Sequence, residues 1–264
     1  MNSHLQARFT AQNGRTRLAH LSASAPLKIA KTFALKNGAL GATIMDASPG
    51  LLAGDCYAFD VSVEANARAE IGTQGFTRVH PSGANACELQ TRLEVGQGAT
   101  LEWFPEPLML YADADLRAQT TAKLAAGATF VAHDIWCAGR VGRGEVWEFS
   151  RHRNRWNIER AGVPLYASAL DVEPAKFDIR QSAAWDAWTH SGNFWAMCAA
   201  GADFDARLCE AFWEIIESDS GALYAGASVL AGGGVMVSML GTRAHDLQEL
   251  TRKLRGQTRL NGED

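Results

Sequence analysis

The stretch L-E-V-G-Q-G-A-T-L-E-W (Leu93 to Trp103) alternates apolar and polar residues, breaks at a glycine-rich turn and resumes the alternation. It has two companions, V-S-V-E-A-N-A-R-A-E-I (Val61 to Ile71) and A-K-L-A-A-G-A-T-F-V-A (Ala122 to Ala132). Each reads as a strand, a turn of small residues and a second strand. The shared alanines, Ala67, Ala99 and Ala128, fall 32 and 29 residues apart. A period-two pattern with glycine in its turns argues against a helical solenoid. Stacked hairpins or the coils of a β-helix would give such a period, and so would an all-β sandwich of similar hairpins.

Outward from the repeats the chain stays β-rich. Leu5 to Ala11 alternates, Asn13-Gly14 follows, and alternation resumes at Arg15; Asn-Gly between such runs predicts a hairpin. Pro26 to Ala30 predicts a further strand with Lys28 and Lys31 facing solvent. Two prolines confine Glu102 to Tyr111 to an edge or a bend. Cys137 to Phe149 reads as a glycine-rich turn entering a strand, and Arg151 to Ala169 as two strands about an Ala161-Gly162 turn.

After about Gln181 the character changes. Asp203 to Ser218 places Phe204, Leu208, Ala211, Phe212, Ile215 and Ile216 on one helical face, with Asp203 as its cap. Ser220 to Thr242 carries no charge and is long enough to span a bilayer, yet Gly232-Gly233-Gly234 in its middle predicts a buried hairpin instead. A last helix is expected over Arg243 to Leu254, capped by Thr242, with Leu247, Leu250 and Leu254 inward and Arg252, Lys253 and Arg255 suiting the helix dipole. The expected architecture is mainly β: a body over residues 1–180 and a small α+β portion with about two helices over 181–264, packed as one continuous folding unit.

Composition narrows the function. The 264 residues hold 25 basic and 29 acidic side chains, a net charge of −4. That balance argues against a nucleic-acid or anionic-membrane surface. Five cysteines form no C-x-x-C pair, so reduced thiols in a cytoplasmic protein are expected. No apolar run follows Arg8, Arg15 and Arg17, so no secretory leader is expected.

The chain contains no G-x-S-x-G, no H-E-x-x-H and no phosphate loop. Its seven histidines form no metal-binding pair, and no tightly bound cofactor is expected. What remains is a set of polar groups at turns and strands. Asp55 follows Gly54 and reads as a turn aspartate. Asp134 stands between Phe130-Val131 and Ile135-Trp136, so it should be buried and in need of a partner such as Arg140 or a passing cation. Glu145 is expected to pair with Arg140 or Arg143. His80, held extended by Pro81, reads as a surface histidine; Cys137 reads as a buried thiol.

Four ordered motifs then carry a resemblance. They are P-G-L-L-A-G-D (Pro49 to Asp55), T-Q-G-F-T-R-V-H-P-S (Thr73 to Ser82), L-E-W-F-P-E-P (Leu101 to Pro107) and G-R-V-G-R-G-E (Gly139 to Glu145). With the later A-L-Y-A-G-A-S (Ala222 to Ser228), they resemble the urease accessory protein UreD family, also called UreH, over nearly the whole chain. The family often has two adjacent glycines where Gly50-Leu51 stands, and different wording at Gly75-Phe76 and Arg78-Val79-His80.

The resemblance implies a right-handed β-helix-like body with a helical C-terminal part. It implies no catalysis, but a scaffold for nickel delivery to apo-urease that binds UreF and, through it, the GTPase UreG. It further implies an internal water-filled channel for transient Ni²⁺, with Asp55 and Asp134 along the path, Thr77 on its wall, and Arg140 and Glu145 as channel or structural polar groups. Weak oxygen ligands suit a conduit, because thiolates and imidazoles would trap the ion. The competing expectation is a β-helical carbohydrate enzyme using Asp55 and Asp134 as paired carboxylates.

Overall fold

In the computed structural model, residues 1–181, 184–218, 221 and 223–258 are described, except for the side chain of residue 37. The three repeats are neither hairpins nor a simple sandwich. Each arches from one sheet into another. Strand β5 (Cys56–Val63) leads to β6 (Arg68–Thr73), β8 (Cys87–Val95) to β9 (Thr100–Phe104), and β11 (Asp115–Leu124) to β12 (Thr129–Cys137). The first member of each pair lies in a seven-stranded sheet and the second in a ten-stranded sheet. Within each sheet these repeat neighbours run parallel and in register: Tyr57 pairs with Leu89 and Leu89 with Ala118, while Ile71 pairs with Trp103. The stacked-coil expectation is therefore met, and the hairpin one is not.

The arches explain why small residues recur there. Asn66, Gly98 and Gly127 occupy equivalent left-handed positions with φ of 60°, 64° and 72°. A Cβ on Gly98 would lie 2.8 Å from Asn66 Oδ1 in the coil next to it and push that side chain aside, and the positive φ itself favours glycine there. The alanines that follow, Ala67, Ala99 and Ala128, are each fully buried and stack one upon the next. The carbonyls of two of them hold the coils together: Thr100 N donates to Ala67 O and Thr129 N to Ala99 O, both at 2.9 Å.

A short third ladder closes the side of each coil. Leu51 bridges Val79 of β7 (Thr77–Val79), β7 pairs with β10 (Leu108–Leu110), and β10 reaches the end of β12. The prolines at 105 and 107 mark the bend before β10, as expected. Pro49-Gly50 turns tightly against β7, where a Gly50 Cβ would lie 2.3 Å from the carbonyl oxygen of Arg78.

Antiparallel strands finish both ends. At one end β1 (Asn2–Gln12) and β2 (Arg15–Ala23) form the predicted Asn-Gly hairpin, and β3 (Leu27–Ala34) pairs with β4 (Leu40–Asp46). At the other, β13 (Arg151–Arg160) pairs with β14 (Val163–Val172). Strand β15 (His190–Met197) adds to β12, and then β17 (Val235–Gly241) and β16 (Leu223–Val229) extend the same ten-stranded sheet. No strand covers residues 144–150, so the stretch ahead of Arg151 is a 3₁₀ turn followed by irregular chain.

The main core lies between the sheets, where the Trp156 and Trp195 rings stack with centroids 4.3 Å apart. A second core forms on the outer face of the ten-stranded sheet. There Leu208 and Phe212 of α1 (Ala202–Glu217) and Leu247, Leu250 and Leu254 of α2 (Ala244–Gln257) cover Val131, Ile135, Phe194, Val235, Val237 and Met239. Each of those leucines, fully buried, is worth about 1.5–3 kcal/mol.

Three details depart from the sequence expectations. Gly201, not Asp203, precedes α1, and Arg243 rather than Thr242 precedes α2; neither makes a side-chain cap. Arg255 does not simply face the α2 dipole, because its guanidinium bridges Glu70 and Glu102. Those glutamates stand side by side on β6 and β9, and one cation between them offsets their mutual repulsion. In the glycine-turn hairpin only β17 is buried, while β16 is an edge strand with Tyr224 exposed.

Candidate functional site

Strand alternation sorts β12 into two faces. Val131, His133 and Ile135 point toward the helices, whereas Phe130, Ala132, Asp134 and Trp136 point between the sheets. Asp134 therefore faces the interior, half-buried. Its partners come from the opposite sheet: Asn154 Nδ2 donates to Oδ2 at 2.5 Å and Trp156 Nε1 to the same oxygen at 3.0 Å. Burial pushes the carboxyl pKa up, and these two hydrogen bonds pull against it. The expected partner, Arg140, is engaged elsewhere.

Two inward ranks run from Asp134's partners across the seven-stranded sheet. One is Asn154, Ala118, Leu89, Tyr57; the other is Trp156, Thr120, Thr91, Phe59. Leu89 and Ala118 are only half-buried, although they point into the space between the sheets. At the far end of the ranks a cavity of about 300 Å³ opens between the sheets, lined by Tyr57, Phe59 and Leu89 and by Thr73, Thr77 and Arg78. Ser48 Oγ lies 3.0 Å from the Tyr57 hydroxyl, whose pKa burial raises to about 12. Thr77 is thus one of the residues that line this cavity.

Asp55 is placed differently. It is buried, its Oδ2 accepts from Leu52 N at 2.9 Å, and its Oδ1 pairs with the amino group of Met1. It stands level with Cys87, Leu116 and His152, three strand spacings from β13. At about 4.8 Å per spacing, Asp55 stands roughly 14 Å from the strand whose Asn154 and Trp156 hold the Asp134 carboxylate. Paired glycosidase carboxyls stand about 5–9.5 Å apart, so the carbohydrate-enzyme expectation loses its catalytic pair.

Arg140 and Glu145 do form the expected pair. Arg140 Nε donates to Glu145 Oε2 at 2.9 Å, and Glu145 Oε1 accepts from Ala112 N at 2.9 Å. The loop between them closes tightly enough that a Cβ on Gly139 would lie 2.3 Å from the Glu145 carbonyl oxygen. The guanidinium holds the Glu145 carboxyl below its usual range and lies 4.4 Å from the Tyr111 ring centroid. His80 packs edge-on against Tyr111, with Nε2 3.0 Å from Pro49 O. Cys137 is fully buried, its thiol donating to Leu108 O and its pKa pushed up to about 12 by burial. Among the described residues no three His, Cys, Asp or Glu side chains gather to hold a metal ion.

A family model described as UreD urease accessory protein matches residues 1–263. The chain belongs to the UreD family. Among curated relatives named urease accessory protein UreD, one from Haloarcula marismortui is 31% identical, covering 92% of this chain and 81% of its own length. Another from Actinobacillus pleuropneumoniae serotype 5b (strain L20) is 28% identical over 95% and 94%. A third from Haemophilus influenzae (strain 86-028NP) is 27% identical over 96% and 97%. These relatives bear the name of an accessory protein, not of an enzyme. No helix among the described residues of this UreD chain is long and apolar enough to cross a membrane.

For this UreD chain, the sequence names Asp55, Asp134, Thr77, Arg140 and Glu145 as candidates but not the groups that complete their surroundings. Asn154 and Trp156 share the inward face of β13 with His152 and Ile158. Their spacing of two was visible in the sequence; the strand they face was not. Tyr111 carries no such signal in the sequence, although with Arg78 it joins the cavity rim to the Arg140 loop.

Proposed function

We propose that this chain is a non-catalytic scaffold of urease maturation that works in the cytoplasm with UreF and, through it, UreG, and passes Ni²⁺ toward apo-urease. The match to the UreD family over residues 1–263 carries the reading. The interior geometry supports a path between the sheets. A cavity lined by Thr73, Thr77 and Arg78 lies at one end, half-buried inward side chains follow, and the Asp134 carboxylate lies at the other end. A lone oxygen ligand with hydrogen-bonded neighbours would hold Ni²⁺ briefly and let it go. Of the two aspartates we assign the path to Asp134, since the Asp55 oxygens are already engaged by the Leu52 amide and the Met1 amino group.

The test is a strain lacking this chain, restored with the wild type, Asp134→Asn or Asp55→Ala, with urease activity and the nickel content of purified urease as readouts. Deletion should abolish activation and the wild type should restore it. Asp134→Asn should still purify with the maturation complex while delivering less nickel. Full urease activity in the deletion strain would overturn the role. Full nickel loading by Asp134→Asn would spare the role and remove the site.

A further inference from the structure

Next to the cavity rim the chain carries a second concavity that a conduit does not require. Phe76, Arg78, Met109, Tyr111, Arg140 and Arg143 line a hollow of about 510 Å³, and Phe76 and Arg78 belong to the cavity rim as well. Three guanidinium groups converge here in a chain of net charge −4. Arg140 is matched by Glu145. Arg78 and Arg143 are exposed, and no carboxylate among the described residues pairs with either. Two arginines without a paired carboxylate, in one lining with Phe76 and Met109, present planar donors for carboxylates beside an apolar surface. The side that lacks its counter-charge is the one a partner would supply.

We propose that this hollow docks an acidic segment of a protein partner in the maturation assembly, one in which carboxylates alternate with apolar side chains. The proposal rests on the maturation reading for who the partner is, but not for the chemistry of the surface. A peptide fits better than a nucleic acid, because Phe76 and Met109 in the lining offer its apolar side chains a seat among the guanidinium groups. Since Arg78 also lines the cavity rim, docked carboxylates would cancel a positive charge that a divalent cation meets there.

A short fluorescein-labelled peptide of alternating glutamate and leucine, titrated into the full chain, tests this. Arg78→Glu combined with Arg143→Glu should weaken binding by about tenfold or more, and added salt should weaken wild-type binding. Arg17→Glu with Arg155→Glu, an equal change of net charge at exposed positions elsewhere, should bind as the wild type does. If the charge-reversed pair melts early, Arg78→Gln with Arg143→Gln decides instead.

Equal binding by wild type and both rim variants, or no binding to the wild type at millimolar peptide, would overturn the proposal. So would a lysine–leucine peptide or a single-stranded oligonucleotide that binds as tightly as the acidic peptide. Urease activity in the deletion strain is read separately, so a failed maturation role and a failed docking surface give different patterns.

Discussion

At the scale of single residues, Asp134 shows how a carboxylate survives between two sheets. Two donors from the opposite sheet hold one of its oxygens. Asp134→Asn keeps an acceptor oxygen for them and removes a charge that burial disfavours, so its melting temperature should stay close to that of the wild type. Asp134→Ala strands the Asn154 amide and the Trp156 indole N–H, and should lower stability by about 1–3 kcal/mol in urea unfolding.

Three buried histidines set the acid limit. Burial lowers His133, His152 and His190 from 6.5 to about 4, 3 and 4. Below pH 6.5 the unfolded chain takes up protons that these folded sites refuse, so stability is full above pH 6.5 and falls as pH drops through 4. Asp134, raised by burial, works in the opposite sense in part of that window, one group against three. Thermal melts should therefore fall from pH 7 to pH 4, and His152→Phe should flatten the slope. That Asp134 would face the interior was legible from its apolar neighbours. Its partners were not, because they lie 20 and 22 residues away across the sheet gap.

At the scale of elements, the arch is the unit. The repeat, its period and its stacked alanines were legible, since alternation and small turn residues are local properties. Whether the turn folds a strand back on its neighbour or carries it into another sheet was not, because both use similar turn chemistry. The helix caps failed for a related reason: α1 and α2 are fixed by the leucines and aromatics they bury, so their ends need no capping side chain. Arch geometry makes a separable prediction. Gly127 has φ of 72° and only an ordinary contact at its Cβ position, Gly98 N at 3.8 Å, and Asn66 fills the equivalent place in another coil. Gly127→Asn should cost little, whereas Gly127→Val should cost about 1–2 kcal/mol, because a β-branched residue resists the left-handed region. Urea midpoints of the two variants would read the difference.

At the scale of the whole molecule, both sheets end in strands that need protection from further pairing. Lys28 and Lys31 lie on the β3 edge, and Pro164 and a register shift interrupt the β14 edge. Strand β16 has neither charge nor proline; α1 packs along it instead, bringing the Trp213 ring within 3.6 Å of where a Gly226 Cβ would stand. Trp213→Ala should uncover that strand, and light scattering should detect self-association that the wild type lacks at the same concentration.

The parallel register of the coils has a consequence of its own. Because each coil adds one strand to each sheet, the coil is a unit of length. The separation between the Tyr57 cavity and Asp134 is fixed by counting strands from β5 to β13, not by any side chain along the way. Inserting or deleting one coil would move those two ends by about 4.8 Å without altering either. The number of repeats is thus a ruler, and it sets how far apart this body can hold its two ends.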